Sequence, residues 1–333
     1  MAEIGSTFYD LIDLHKSTDG NNQIAQVIEM LAEQNPILED AVTVECNKGT
    51  THLTTVRTGL PSNTWGRLYK GVEQSKSAKA SVEDTTGFLE AYSSVDKRLL
   101  DLAGSKAPAI RLDEASAHIE AMNQTMSSTL FYGNTDINPD RFMGLAPRFS
   151  DLSAPNGKNI IDAGGTGNDL TSVWFVTWGS NTCSMLHPKN IPAGLMREDK
   201  GEQRVEDENG NPYYAKEEMF TWHNGLSVRD WRYVVRIANI DVSELRAGNV
   251  DIYRFMRSAF YQHEGRRNSM GKNCIYANRD VMEALDAIGT NSGSNDNFIR
   301  LTPMEIQGKQ VLSYRGIPIR EVDALLNTED RVQ

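Results

Sequence analysis

The sequence predicts an α+β fold with long excursions from its core. Three observations lead to this prediction. Apolar residues recur at helical spacing in several segments, β-branched and aromatic runs indicate strands in others, and one mid-chain segment has too few apolar residues to fold alone. The chain has 333 residues and a net charge of −11. That length is enough to bury a sizeable core. The acidic total argues against a dedicated nucleic-acid binder, which usually carries a basic face.

The N-terminal segment, residues 5–35, is expected to form one or two short amphipathic helices that end at Asn35-Pro36. Its apolar residues fall at helical spacing: Ile24, Val27, Ile28 and Leu31. It lacks the basic start and apolar run of a signal peptide, and nothing in the chain approaches the roughly 20 apolar residues of a membrane span. We therefore expect a protein made in the cytoplasm, with no membrane partner.

Residues 42–57 predict two strands, VTVE and HLTTVR, around a turn at Asn47-Lys48-Gly49. The next segment, 57–81, is basic in an acidic chain. It contains five cations and one acid, Glu73, so its local net charge is 5 − 1 = +4. The cations are Arg57, Arg67, Lys70, Lys76 and Lys79. With few apolar residues it cannot build a core of its own. Trp65 stands alone within it, as an anchor for a partner's pocket would.

Two helices are predicted next. Residues 82–104 place five apolar side chains at intervals of four and three: Phe88, Tyr92, Val95, Leu99 and Leu102. Residues 113–132 form the longest clean helix, capped by Asp113 and ended by Gly133-Asn134. About 20 helical residues give a rod of roughly 30 Å.

Strands follow a turn-rich stretch at 134–170. Residues 171–178 (TSVWFVTW) are apolar enough to be buried on both faces, and 182–186 and 218–223 are further candidates. Apolar and charged side chains alternate within residues 228–240, which predicts a half-buried strand. Residues 194–218 are rich in acidic side chains, and 208–212 are predicted to form the tip of a hairpin. The candidate acidic partner surface consists of Glu198, Asp199, Glu202, Glu206, Asp207 and Glu208.

The last third predicts a helix at 250–264, a strand at 273–278, a helix over RDVMEALDAI and a mobile loop at 289–296. The strands QVLSY and IPIREV then pair around Arg315-Gly316.

No set of residues predicts catalysis or a cofactor. Gly164-Gly165-Thr166-Gly167 lacks the lysine of a phosphate loop, and the six histidines form no local metal motif. Three scattered cysteines fit no disulfide framework. Glu206-Asp207-Glu208 lacks the spacing of a calcium loop. We therefore expect no enzyme, no cofactor and no metal, and self-association explains the basic segment better.

Four long blocks of the sequence resemble the major capsid proteins of the epsilon-15-like short-tailed phages. They are NPILEDAVTVECNKGTTHLTTVRTGLPSNTWGRLYKGV, LFYGNTDINPDRFMGLAPRF, VWFVTWGSNTCSMLHPK and GLSVRDWRYVVRIANID. The similarity covers about residues 30–325.

This resemblance implies the Hong Kong 97-type capsid fold, here with a permuted strand order. It implies an N-terminal arm at 1–41 and an extended E-loop at 42–88. A P domain follows at 89–249, with a spine helix at 112–133 and a strand-rich insertion, and an A domain at 250–333. The expected function is self-assembly into hexamers and pentamers of an icosahedral head. The head would be assembled in the host bacterial cytoplasm, with scaffolding, portal and decoration proteins as partners. Double-stranded DNA would be enclosed without sequence-specific binding.

Two alternatives stay open at this point. The chain could be another phage structural protein, such as a tail or ring-forming subunit, which particle shape would distinguish. It could also be a hydrolase whose site is built from distant residues, which measured turnover would reveal.

Overall fold

The computed structural model describes residues 33, 35–207, 209–267, 270–291, 301–306 and 309–333. Its helices are α1 Ile37–Asp40, α2 Lys97–Ala103, α3 Ala107–Tyr132, α4 Leu145–Arg148, α5 Val242–Arg246, α6 Ile252–Gln262 and α7 Arg279–Asn291. Its strands are β1 Thr43–Glu45, β2 Thr51–Gly59, β3 Ala78–Asp96, β4 Ile160–Asp162, β5 Leu170–Trp178, β6 Cys183–His187, β7 Leu195–Glu206, β8 Pro212–Val228, β9 Val234–Asp241, β10 Lys272–Ala277, β11 Thr302–Ile306, β12 Lys309–Tyr314 and β13 Ile317–Glu321.

The chain divides into two compact units. The small unit holds Glu33, 88–126 and 194–223, and the large unit holds 35–87, 127–193 and the described residues after 224. None of the described helices is long and apolar enough to cross a bilayer.

The large unit is built around a mixed sheet whose centre is β5. Antiparallel pairs join β12 to β13, β10 to β5 and β5 to β9, and parallel pairs join β13 to β10 and β4 to β9. Every residue of β5 is buried, which confirms the prediction for 171–178. Alternate residues point to opposite faces. Val173 and Phe175 pack in one core cluster with α6 and α7. Trp174, one position over, contacts Phe131 and Phe149.

A second set of strands in the large unit includes the two strands that flank the loop 60–77. β1 pairs with β6 in parallel, and β6 pairs with β8 antiparallel. β2 pairs with β3 from Thr51↔Thr85 to Gly59↔Ala78, forming a two-stranded ribbon that ends in the loop 60–77. The two strands predicted at 42–57 are therefore present, although β1 and β2 do not form a hairpin with each other.

The small unit has its own core between α3 and the β7–β8 hairpin. Ala115 and Met122 of α3 pack on Phe220 of β8. Partly buried side chains complete the cluster: Leu89, Ala91, Ile119, Leu195 and Trp222. The hairpin turn falls at 207–211, as predicted from the sequence, with Asp207 accepting the backbone N–H groups of Asn209 and Asn211.

The helix predicted at 82–104 is wrong for most of its length. Residues Ala78–Asp96 form a 19-residue strand, and only Lys97–Ala103 is helical, capped by the Asp96 side chain. The predicted apolar stripe does not lie on one face, because Phe88 and Tyr92 are exposed whereas Val95 is buried. β3 pairs with β2 on one side and with β8 on the other, and these backbone hydrogen bonds outweigh the local helical spacing.

The predicted helix at 112–133 exists but begins at Ala107, so Asp113 lies inside it and is not its cap. Pro108 suits the first turn, where its missing N–H costs nothing. The C-terminal end was predicted correctly. A Cβ at Gly133 would lie 2.6 Å from the Thr129 carbonyl oxygen, so only glycine fits this close approach.

The single strand predicted at 228–240 is two elements. β8 ends at Val228, Asp230 caps a 3-10 turn at Trp231–Tyr233, and β9 begins at Val234. Trp231 is therefore not a strand residue. All but the last residue of β9 are buried, whereas the sequence predicted a half-buried strand.

The remaining elements agree with the predictions. α6, β10 and α7 occupy the expected segments, and β12 and β13 form the expected hairpin. Its turn residues Arg315 and Gly316 have φ of 51° and 82°, as a tight two-residue turn requires. Of the helices predicted at 5–35, residues 5–32 lie outside the described residues, as do residues 292–296 of the loop predicted at 289–296. The first three residues of that predicted loop, 289–291, are helical and extend α7 to Asn291.

Candidate assembly surfaces

The loop tip, residues 60–77, is the most exposed part of the described chain. Every residue from Leu60 to Lys76 is exposed. Two hydrogen bonds give it form: Ser75 Oγ donates to the Ser62 carbonyl at 2.8 Å, and the Lys70 N–H donates to the Arg67 carbonyl at 3.2 Å. Tyr69 closes the turn with φ of 63°, a left-handed conformation that is uncommon for an aromatic residue.

The five predicted cations lie on this tip or on the ribbon just below it, where Arg57 and Lys79 are cross-strand partners. All five are exposed, and none forms an ion pair within the part of the chain that the structure describes: Arg57, Arg67, Lys70, Lys76 and Lys79. Like charges at facing positions repel. The ribbon therefore holds positive charge that its own surroundings leave uncompensated.

The loop tip is also apolar, which the sequence prediction missed except at Trp65. The side chains of Trp65 and Tyr69 are fully exposed, at 96% and 105% of their reference areas. Leu60, Leu68 and Val72 are exposed as well. Scattered single apolar residues need no explanation, but five exposed within 13 positions make this tip a candidate contact surface. The spacing of leucine, tryptophan and tyrosine among glycines was the sequence signal that could have revealed it.

The base of the ribbon is anchored to the rest of the large unit by two buried side chains. His52 of β2 and Asp84 of β3 are cross-strand partners. His52 Nε2 lies 2.6 Å from a guanidinium nitrogen of Arg229, and Asp84 accepts from Arg148 at 2.8 Å. Burial, followed by the Arg229 charge, lowers the pKa of His52. A Cβ at Gly225 would lie 2.8 Å from the Thr85 carbonyl oxygen, so β8 approaches β3 closely here.

The acidic segment is placed on β7 and its turn, in the small unit. Four of its acids already have cationic partners in the same unit: Glu198 with Lys200, Asp199 with Arg111, Glu202 with Lys97 and Glu206 with Arg204. Asp207 is engaged by Asn209 and Asn211 of its own turn. Glu208 lies outside the described residues. The segment is therefore acidic in sequence but largely compensated in the folded subunit.

Two of these acids illustrate how local contacts hold the charged form. The Gly201 N–H and the Arg111 guanidinium keep the pKa of Asp199 below its ordinary value, and Asn211 does the same for Asp207. Arg111 also bridges to Glu218, which is buried and receives a second guanidinium from Arg197. This cluster ties β7 and β8 to α3.

The small unit also has an apolar sheet face that points away from its core. Because Leu89, Leu195 and Phe220 pack toward α3, residues one position along each strand point the other way. These include Phe88 and Tyr92, which are 64% and 50% exposed. Phe88 stacks loosely on His223, with ring centroids 5.8 Å apart. By the same alternation, Met196, Met219, Glu90 and Glu217 lie on this face, which we call the outer face.

The described residues contain no group of three or more histidine, cysteine or carboxylate side chains that could hold a metal ion. The three cysteines are buried, and burial raises the pKa of Cys183 and Cys274 to about 12. Protonated, enclosed thiols are poor nucleophiles.

Comparisons with known proteins point to one family. The family model described as "Major capsid protein GP7" matches residues 19–333. Among solved structures, a chain of bacteriophage Epsilon15 is 38% identical, with a TM-score of 0.79, and the match covers 100% of this chain and 99% of that one.

Two more distant matches share 10% identity. The capsid of bacteriophage JBD30 gives a TM-score of 0.47 over 82% of this chain and 90% of that chain. The SrpI encapsulin of Synechococcus elongatus gives 0.45 over 70% and 96%. No curated protein matches the chain.

Proposed function

The chain belongs to the family of the major capsid protein GP7, and from that premise we propose that its basic, aromatic loop tip clasps a sister subunit as the shell assembles. As a phage major capsid protein with a Hong Kong 97-type fold, it is a component of the virion capsid and associates with copies of itself. The proposal concerns how those copies hold each other.

The observation that carries the proposal is the uncovered loop tip. A free subunit would expose Trp65, Leu68 and Tyr69 to water beside the three cations of the tip, at a cost of roughly 25 cal/mol for each Å² of apolar surface. Burying them against a second copy removes that cost. The unpaired cations of the tip then orient the contact, since charge complementarity fixes register more than affinity.

We propose the outer face of a neighbouring copy as the acceptor. Phe88, Tyr92 and Met219 offer an apolar surface, and Glu90 and Glu217 supply negative charge beside it. Neither glutamate has an ion pair within the described residues. The acids Glu198 to Glu206 remain a secondary candidate, because their existing partners would have to be exchanged.

Each ion pair in such a contact is worth only about 0–1 kcal/mol when it is exposed to solvent. In a closed shell, however, every subunit both donates and receives a clasp, so weak contacts act together. A head-to-tail contact of this kind closes into rings. We propose hexamers and pentamers of an icosahedral head as those rings.

We propose that the chain is divided into an N-terminal arm at 1–41, an E-loop at 42–88, a P domain at 89–249 and an A domain at 250–333. β5 and β9 pair in one sheet with β10, so strands on both sides of residue 250 share a sheet. We also propose that the chain acts by association without catalysis and is assembled in the host cytoplasm with scaffolding, portal and decoration proteins. On this view, it encloses double-stranded DNA without reading its sequence.

The central experiment reverses the five cations of the loop to glutamate: Arg57, Arg67, Lys70, Lys76 and Lys79. The expected product is a folded, soluble subunit that forms no shells under electron microscopy. A matched control reverses five exposed cations elsewhere: Arg98, Arg141, Lys158, Lys189 and Arg331. Normal particles from the loop variant would refute the clasp, and loss of particles from both variants would show that total charge alone matters.

A charge exchange tests the acceptor. Glu90→Lys with Glu217→Lys should weaken assembly in the native background and restore particles to the loop variant. Rescue would place the loop tip against the outer face. If only changes at Glu198 and Glu202 restore particles, the acceptor is the β7 segment instead.

A further inference from the structure

A patch of arginines on the large unit has no part in the clasp. It consists of Arg254 and Arg257 on α6, the helix that also carries Tyr261, together with Arg266 after α6 and Arg315 in the β12–β13 turn, which both contact Tyr261. Tyr261 is 57% exposed. We call this set the arginine patch.

The helix α6 sets the spacing of the patch. Ile252, Met256 and Ala259 face the core of the unit. Arg254, Arg257 and Tyr261 fall three and four positions apart on the opposite side and are exposed. The helix therefore carries Arg254, Arg257 and Tyr261 along one side, and the Arg254 guanidinium lies 5.7 Å from the centre of the Phe255 ring.

Aromatic rings bring the other two arginines to the same place. The Arg315 guanidinium lies 5.2 Å from the centre of the Phe260 ring and 5.4 Å from that of Tyr261, and it donates to the Tyr261 hydroxyl at 3.3 Å. Arg266 lies 5.2 Å from the centre of the Tyr261 ring and donates to the Tyr261 carbonyl. Stacking holds these side chains while leaving most of their N–H donors unused.

These four arginines lack the carboxylate partners that arginines elsewhere in the large unit possess. Arg236 pairs with Glu329, Arg246 with Asp280 and Arg279 with Glu321. Within the described residues, no ion pair involves the four members of the patch. The nearby carboxylates are used otherwise, since Asp251 caps α6 through the Arg254 backbone N–H and Glu264 pairs with Arg267.

Gathering four unpaired guanidiniums is unfavourable because like charges repel. The arrangement becomes favourable when an anion with several negative centres lies across it. Guanidinium forks match phosphate oxygens in a bidentate manner, and an exposed ring among them supports contacts with sugar or base. We propose that the arginine patch binds the phosphate backbone of double-stranded DNA, without sequence preference.

This inference rests on the proposed function, in which the shell encloses DNA. On a chain of net charge −11, a local basic patch would tether DNA weakly while the rest of the surface repels it. An acidic segment of another protein is the competing partner, and the experiment separates the two.

The test measures binding of a fluorescent 30-base-pair duplex of mixed sequence to freshly purified, unassembled full-length subunits over a series of salt concentrations. The variant is R254Q/R257Q/R315Q. Its control is R246Q/R279Q, two exposed arginines that already have carboxylate partners. Circular dichroism melting checks that both variants are folded, and electron microscopy scores shells.

We expect native subunits and the control to bind with the same salt dependence. The triple variant should bind more weakly, and its slope of log K against log salt should be lower by about 0.9 for each lost phosphate contact. It should still form shells. Equal binding by all three proteins would overturn the proposal, as would displacement of the duplex by polyglutamate at matched charge. Loss of shells with DNA binding intact would instead assign the patch to a subunit contact. Failure of the native chain to form shells would count against the proposed function alone.

Discussion

His52 and Asp84 face each other across the β2–β3 ribbon, and each side chain contacts an arginine from another segment of the large unit. Toward the loop tip, this is the last cross-strand pair of the ribbon in which both side chains are buried. Arg148 and Arg229 therefore hold the base of the ribbon.

The first prediction concerns this anchor. Asp84→Asn removes a buried carboxylate from a partly exposed guanidinium, so the loss of stability should be near or below the roughly 3–5 kcal/mol of a fully buried pair. The melting temperature should fall, and backbone amides of β2 should exchange faster in hydrogen-exchange experiments. Glu83→Gln is the control, because its pair with Lys48 is exposed to solvent and the change should leave the melting temperature nearly unaltered. Equal effects of the two changes would show that the anchor is unimportant.

The second prediction separates folding from assembly at the loop tip. Trp65→Ala and Tyr69→Ala should leave the thermal stability of the isolated subunit unchanged, because both side chains are already in water. Shell yield in sedimentation should fall, because the aromatic side chains proposed to pack against a neighbouring subunit are lost. Leu102→Ala, at a residue that is 71% exposed in the small unit, is the matched control. A stability loss at Trp65 would mean that the tip packs on its own subunit.

The third prediction is a pH dependence of stability centred on His263. Burial lowers the pKa of this histidine to about 4, below the 6.5 of an unfolded chain. Its stabilising effect is therefore complete above pH 6.5 and is lost as the pH falls toward 4, by up to about 3 kcal/mol at 1.36 kcal/mol per unit. Denaturant unfolding at pH 7 and pH 4.5 should show this loss in the native chain. A His263→Gln variant should show less of it, and an identical pH profile would exclude His263 as the source.

The fourth prediction concerns the C-terminal segment. Glu329 is buried with Arg236 and also accepts from Ser172 and the Tyr132 hydroxyl. Glu329→Gln should lower stability by about 3–5 kcal/mol, because the guanidinium keeps its burial but loses its counter-charge. Residues 322–333 should become accessible to limited proteolysis. Asp330→Asn, at an exposed neighbour, should behave like the native chain, and a similar cleavage rate in both variants would contradict the prediction.

Sequence and structure agree most closely at β5, which is buried on both faces. β5 was predicted from its apolar run because a strand covered on both faces must be apolar throughout. The error at 82–104 has the opposite cause. In that segment, helical spacing and strand alternation share several positions, and the partner strands that decide between them, β2 and β8, are distant in the chain.

The candidate surfaces divide in the same way. The five cations and Trp65 were visible as a local excess of charge around one aromatic residue. The exposure of Leu68 and Tyr69, the apolar outer face at Phe88 and the arginine patch around Tyr261 were not, because each depends on which side of an element faces water.

The α+β class, the secondary structure of the most strongly patterned segments and the lack of a core in 57–81 can all be inferred from local composition and periodicity. Which charges are free depends on the folded arrangement. The acids of β7 find partners on α2, on α3 and within β7 itself, whereas the cations of the loop tip and of the arginine patch find none in the described chain. A charge count adds residues along the chain, but an ion pair forms through space, so the available charge becomes known only once the chain is folded.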